Sequence, residues 1–214
     1  PTIYGSSLRS KAAPSDYRSF PLPALSGQTE QSAIAAVAGY FIRLGEALPL
    51  RVGYVNDRCA ADALALAGYV APALPLVLDV AADITCEALV NAVGKEIALL
   101  VERRGHAADL ILRSPNAAIE PFSVVVNSAI EAVGVPPVTN SLLTFVIGNL
   151  SSSLQVDTAR VPVRICDLLL DRLDTFFRDF FADGSRRISD LRVMSEAELN
   201  AALYQSNDTT VAFD

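Results

Sequence analysis

Residues 141–181 read SLLTFVIGNLSSSLQVDTARVPVRICDLLLDRLDTFFRDFF, and this stretch decides the architecture. Residues 142–147 are a short apolar run of strand length, the pattern of an interior strand buried on both faces. Ser151-Ser152-Ser153 makes a turn, after which Leu154 and Val156 suggest a further strand. Pro162 then opens a long helix; proline suits the first helical turn, where its missing N–H is not needed. Cys166, Leu169, Leu170, Leu173, Phe176, Phe177 and Phe180 recur at helical spacing and mark the inward side, and Asp183-Gly184 stops the helix.

The same periodicities extend outward. Ile34, Val37, Ala38, Phe41 and Ile42 form a helical stripe within residues 29–48, with Gly45 placed where that helix would end. Leu48, Leu50, Val52 and Tyr54 alternate with Pro49, Arg51 and Gly53 as a strand with one buried face. Residues 60–67 suit a short helix. Leu74, Leu76, Leu78 and Val80 form a second alternating strand, in which Val77 makes the other face partly apolar. Thr85 is placed to cap a helix bearing Leu89, Val90, Val93, Ile97 and Leu100. That helix ends near Arg103-Arg104-Gly105, basic residues suited to its negative terminus. Residues 122–126 are another short apolar run, and Ser195 caps a terminal helix over residues 196–203. Helix, strand, strand, helix, strands, helix implies one sheet with helices packed on it, an α/β sandwich.

Composition narrows the function classes. Of 214 residues, 51% are hydrophobic, and the mean hydropathy of +0.35 reflects either alanine richness or a surface that a partner covers. The net charge of −7 and absence of a basic stripe exclude nucleic acid as the expected partner. The longest uncharged apolar run, between Asp62 and Asp79, is shorter than the roughly 20 residues a spanning helix needs, and Gly68, Pro72 and Pro75 interrupt it. No membrane span is expected, nor a signal peptide, because no apolar segment follows the basic residues of 1–11. Cys59, Cys86 and Cys166 have neither metal-ligand nor disulfide spacing; they read as small core residues in a reducing cytoplasm.

A set of motifs points further. In chain order they are Gly68-Tyr69-Val70-Ala71-Pro72-Ala73-Leu74-Pro75-Leu76, then His106-Ala107-Ala108-Asp109, then Glu120-Pro121-Phe122 with Val124-Val125-Val126-Asn127. The block of residues 141–181 follows, then Arg187-Ile188-Ser189-Asp190-Leu191, Met194-Ser195-Glu196-Ala197-Glu198-Leu199 and Ser206-Asn207-Asp208-Thr209-Thr210. In order and spacing they resemble the carboxy-terminal lobe of a nonribosomal peptide synthetase condensation domain, closing in a linker toward an adenylation domain. Departures are informative: Pro72 stands for the family's asparagine, Ala73 for its threonine and Val77 for its arginine, and nothing like Pro-Phe-Glu follows His106.

The resemblance implies one lobe of the chloramphenicol-acetyltransferase-like condensation fold, an α/β lobe with a mixed sheet packed by helices. It divides the chain into an extended arm or linker (1–24), the condensation-like lobe (25–187) and a linker toward an adenylation domain (188–214). The family's reaction centre, HHxxxDG, needs two adjacent histidines, and this chain has one, His106. The implied role is therefore a truncated, non-condensing lobe of a peptide synthetase in secondary metabolite biosynthesis. It would serve as a structural or docking platform for adjacent adenylation and carrier domains. The alternative is a repurposed lobe that abstracts a proton from, or eliminates from, a carrier-bound aminoacyl group. No cofactor is expected to bind directly; the phosphopantetheine of a partner carrier protein is the group that would reach the domain. Self-association through an apolar face is a further expectation.

His106 is the one imidazole and the general-base candidate, with Asp109 three residues on able to share a helical face. The family places a histidine here without using it as the base, which gives it a structural reading too. Ser151 to Ser153 with His106 and an aspartate could form a triad on paper, but no G-x-S-x-G elbow supports it and serines are ordinary in turns. Glu196 and Glu198 read as solvated carboxylates. Asn149-Leu150-Ser151 and Asn207-Asp208-Thr209 match the glycosylation pattern, against which the compartment argues.

Overall fold

The computed structural model describes residues 16–46, 48–65, 71–102, 122–129, 138, 140–201 and 203. Its elements are β1 (Tyr17–Pro21), α1 (Glu30–Arg43), β2 (Leu50–Val55), α2 (Asp57–Ala65), β3 (Leu74–Leu78) and α3 (Cys86–Glu102). They continue with β4 (Val124–Asn127), β5 (Leu143–Val146), β6 (Ser153–Asp157), α4 (Val163–Ala182) and α5 (Glu196–Asn200). The strands make one mixed sheet in the order β1-β6-β5-β4-β2-β3. β2, β4 and β5 run parallel at its centre, β3 closes one side antiparallel, and β6 and β1 close the other.

The centre of the core is α1. Residues 33–42 are all buried, so this stretch is apolar all round, as a helix enclosed on every side must be. At Gly39 an added Cβ would lie 3.2 Å from Leu89 Cδ2 of α3, 3.3 Å from Ile188 Cδ1 and 3.5 Å from Phe176 Cζ of α4. Three neighbours converge where the side chain is smallest. The helix ends in a Schellman turn: Glu46 N–H reaches the Phe41 carbonyl at 3.2 Å, Gly45 N–H reaches Ile42 at 3.1 Å, and Gly45 takes φ +79°. Thr29 caps the other end, accepting from Ser32 N–H at 3.3 Å.

The central strands have both faces covered, as their unbroken apolar runs predict: Val125, Val126, Thr144, Phe145 and Val146 are all buried. One face meets α1, where Phe41 lies edge-on to Phe145 with centroids 6.3 Å apart. On the other face Phe122 covers Gly53, and Ala60 of α2 packs against Val146 and Ala129. Helix α4 docks through Cys166, Leu173, Phe176, Phe177 and Phe180, with Leu169 and Leu170 half-buried against the core.

The structure adds sheet and core to regions the sequence reads as connections. Within residues 1–24, Tyr17–Pro21 is strand β1, paired along its length with β6. Asp157, buried at that junction, accepts from Ala159 N–H at 3.1 Å and from Arg160 Nε at 2.6 Å. Within residues 188–214, Ile188 and Leu191 are buried, three positions apart on a 3-10 turn that directs both inward. The residues just before it supply carbonyls to the first turn of α3, whose amides have no helical partner: Arg186 accepts from Cys86 N–H and Gly184 from Glu87 N–H, each at 2.9 Å. Asp179 on α4 anchors it, bonding Arg192 Nη2 at 3.0 Å, Arg192 N–H at 3.0 Å and Arg186 Nη1 at 2.9 Å. Burial opposes the Asp179 charge, but these donors outweigh it and hold the carboxyl below its ordinary value.

Candidate functional site

The carboxyl ends of the parallel strands β2, β4 and β5 open into a cleft of about 480 Å³. In open α/β sheets this is the edge where backbone turns away from the ladder and leaves side chains around a hollow. Glu30 and Gln28 come from the start of α1, and Tyr54 and Asn56 from the end of β2. Ser128 follows β4, Ile147 and Asn149 follow β5, and Ile97 and Val101 on α3 form an apolar wall.

The polar floor converges on one carboxylate. Tyr54 OH donates to Glu30 Oε1 at 2.7 Å, and the Ser128 hydroxyl donates to the same oxygen. Ser128 is itself placed by the sheet, its N–H reaching the Val55 carbonyl at 2.9 Å. Asn56 is held by capping α2, its Oδ1 accepting from Cys59 N–H at 2.9 Å. Burial first, and then the bond to Glu30, push the Tyr54 phenol well above its ordinary value, so it stays a donor at any physiological pH. Both hydroxyls direct their protons at Glu30 and no imidazole lies among the described residues. The arrangement is an oriented carboxylate, its Oε1 fixed by two hydroxyl donors.

His106 and Asp109 lie outside the described residues. Ser152 is buried and committed to its loop, its N–H bonding Ser26 Oγ at 3.1 Å. Glu196 is 89% exposed, but Glu198 departs from the solvated reading: it is 19% exposed and paired to Arg172 of α4, with Arg172 Nε at 3.0 Å from Oε1. All three cysteines are free and buried, and burial raises each thiol above its ordinary value, which suits core packing and not nucleophilic attack. The described residues contain no group of three or more metal-ligating side chains, and none of their helices is long and apolar enough to cross a membrane.

Glu30, Tyr54 and Ser128 escape sequence reasoning because each stands alone: one follows a cap, one ends an alternating strand, one follows an apolar run. The parallel pairing of β2 with β4 brings Tyr54 and Ser128 together, and the first residue of α1, Glu30, meets both.

Solved structures share this architecture. The chain is similar to the first condensation domain of the calcium-dependent antibiotic synthetase, with TM-score 0.60 and 17% identity over 88% of this chain and 51% of that one. The fold is that of a condensation domain. The starter condensation domain of rhizomide synthetase matches at TM-score 0.61 and 14% identity, over 85% and 50% of the two chains. The X-domain from teicoplanin biosynthesis, solved in complex with OxyB, matches at TM-score 0.61 and 17% identity, over 85% and 49%. The chain spans about half the length of each of these three structures, the extent of a single lobe. No family model and no curated protein matches its sequence.

Proposed function

We propose that these 214 residues act as a non-condensing, condensation-like lobe of a cytoplasmic nonribosomal peptide synthetase, a platform on which adjacent adenylation and carrier domains dock. The observation that carries this reading is the condensation fold over half the length of its structural neighbours, in a sequence whose single histidine cannot make HHxxxDG. Condensation needs a base or donor positioned beside the attacking amine, and these residues hold one histidine where the family's reaction centre holds two in sequence. Exposed apolar side chains support a docking role: Ile165 and Leu168 on α4 and Leu199 on α5 are 41–46% exposed, on helices that the Arg172–Glu198 pair ties together.

The test is mass spectrometry of two loaded carrier proteins incubated with the chain. No dipeptide and no change in either aminoacyl group is the expected result. Dipeptide formation overturns the reading. A mass change on one tethered substrate that disappears in His106→Ala replaces it with the modifying-enzyme alternative.

A further inference from the structure

The cleft floor presents a fixed negative charge with no cation paired to it among the described residues. Tyr54 and Ser128 both bind Glu30 Oε1, so the carboxylate is oriented, and no described Lys or Arg lies within ion-pair distance of it. Arg58, on the same rim, points to Asp62 at 3.8 Å. An anionic ligand would meet this carboxylate and Asp57 beside it. A divalent cation would find too few carboxylates. Of the remaining lining, Ile97, Val101 and Ile147 give an apolar side and Gln28, Asn56 and Asn149 are uncharged, and Leu150, next to Asn149, is 95% exposed.

We propose that this cleft binds a primary ammonium group carried on an apolar stem, with the ammonium on Glu30 and the stem along Ile97, Val101 and Ile147. Tyr54 and Ser128 are positioning residues: they hold one carboxylate oxygen and leave the other directed at the ligand. An ammonium supplies three donors to an acceptor-only group, while the stem gains by leaving water. This assigns a ligand to the lobe and does not depend on the platform reading.

The probes are n-hexylamine, charged at neutral pH, and the neutral and anionic analogues n-hexanol and hexanoate, titrated into the isotopically labelled full chain and read by amide chemical shifts. Hexylammonium should give saturable shifts at Ser128, Asn149 and Val101. Hexanol should bind more weakly by about tenfold, the equivalent of one charge-assisted contact, and hexanoate should not bind. Glu30→Gln, near-isosteric and exposed, should bring hexylammonium down to the hexanol level and leave hexanol binding unchanged. As a second measurement on the unmodified chain, raising salt should weaken hexylammonium binding and not hexanol binding. The proposal is overturned by absent or non-saturable shifts at those amides, by hexanol binding as well as hexylammonium, or by affinity that ignores both salt and Glu30→Gln. Dipeptide formation in the carrier assay would sink the platform reading and leave these outcomes untouched.

Discussion

Truncating Phe176 to alanine tests the packing of α4 on α1 more sharply than any other single change. The ring is fully buried and lies edge-on to Tyr40, with centroids 5.5 Å apart and planes at 78°. It also contacts Phe177 at 6.3 Å and Phe180 at 6.2 Å, and its Cζ faces Gly39 across the helix crossing. Losing the burial of the ring costs about 2–3 kcal/mol. The void adds about 1–2 kcal/mol, because Tyr40, Phe177 and Phe180 are themselves wedged and fill little of it, for a total of about 3–5 kcal/mol. At about 2–4 °C per kcal/mol for a chain of this size, the melting temperature should fall by roughly 6–20 °C. Circular dichroism melts and urea titrations measure it, and Phe176→Leu should recover part of the loss. A Phe176→Ala variant melting within about 2 °C of the parent would refute the packing, since no buried ring of this size is removed at so small a cost.

Two further perturbations probe other parts of the fold. Asp179→Ala removes the acceptor of Arg186 and Arg192 and should cost about 2–4 kcal/mol near neutrality, at the lower end because Arg192 is 60% exposed and can rehydrate. Its folded pKa is depressed, so its contribution is present above the unfolded value of about 3.9 and is lost as pH falls through the folded one. Parent and variant urea midpoints should therefore converge in acid, and a gap that persists there would contradict the ionic account. Gly53→Ala places a Cβ 2.9 Å from the Phe122 ring and should destabilise by about 1–3 kcal/mol. Adding Phe122→Ala should make the Gly53 change nearly neutral, and a double-mutant cycle without coupling would show that the ring is not what Gly53 accommodates.

What the sequence made legible follows from how local each signal is. The runs at 142–147 and 122–126 read as interior strands because both faces had to be apolar, and β5 and β4 are buried on both sides. The stripe from Cys166 to Phe180 set the register of α4 because seven positions agree on one face. Thr85 and Ser195 read as caps, and each hydroxyl accepts the N–H three residues on; Thr29 does the same for α1, a cap the sequence reading does not name. Strand β1 was hidden because Tyr17–Pro21 carries no alternating apolar signal: Arg18, Ser19 and Pro21 are exposed, and what holds the strand is its ladder to β6, a partner well over a hundred residues away. Ile188 and Leu191 were lost in a motif read as a linker, since two apolar residues three apart are too few to establish a period.

The cleft marks the same limit from the functional side. A catalytic reading of the sequence searches for a histidine, because imidazole is the side chain that titrates near neutral pH, and it arrives at His106 and Asp109. Glu30, Tyr54 and Ser128 offer no such residue and no motif spacing. Their meeting is a product of topology: β2 and β4 are parallel neighbours, so the ends of both strands open on the same side, and α1 begins there as well. Mixed sheets of this kind gather otherwise ordinary polar residues along one edge. Among the described residues, a carboxylate that accepts two hydroxyl protons and faces an apolar wall is therefore a place built to select a ligand by charge, although none of its three members would be chosen from the sequence alone.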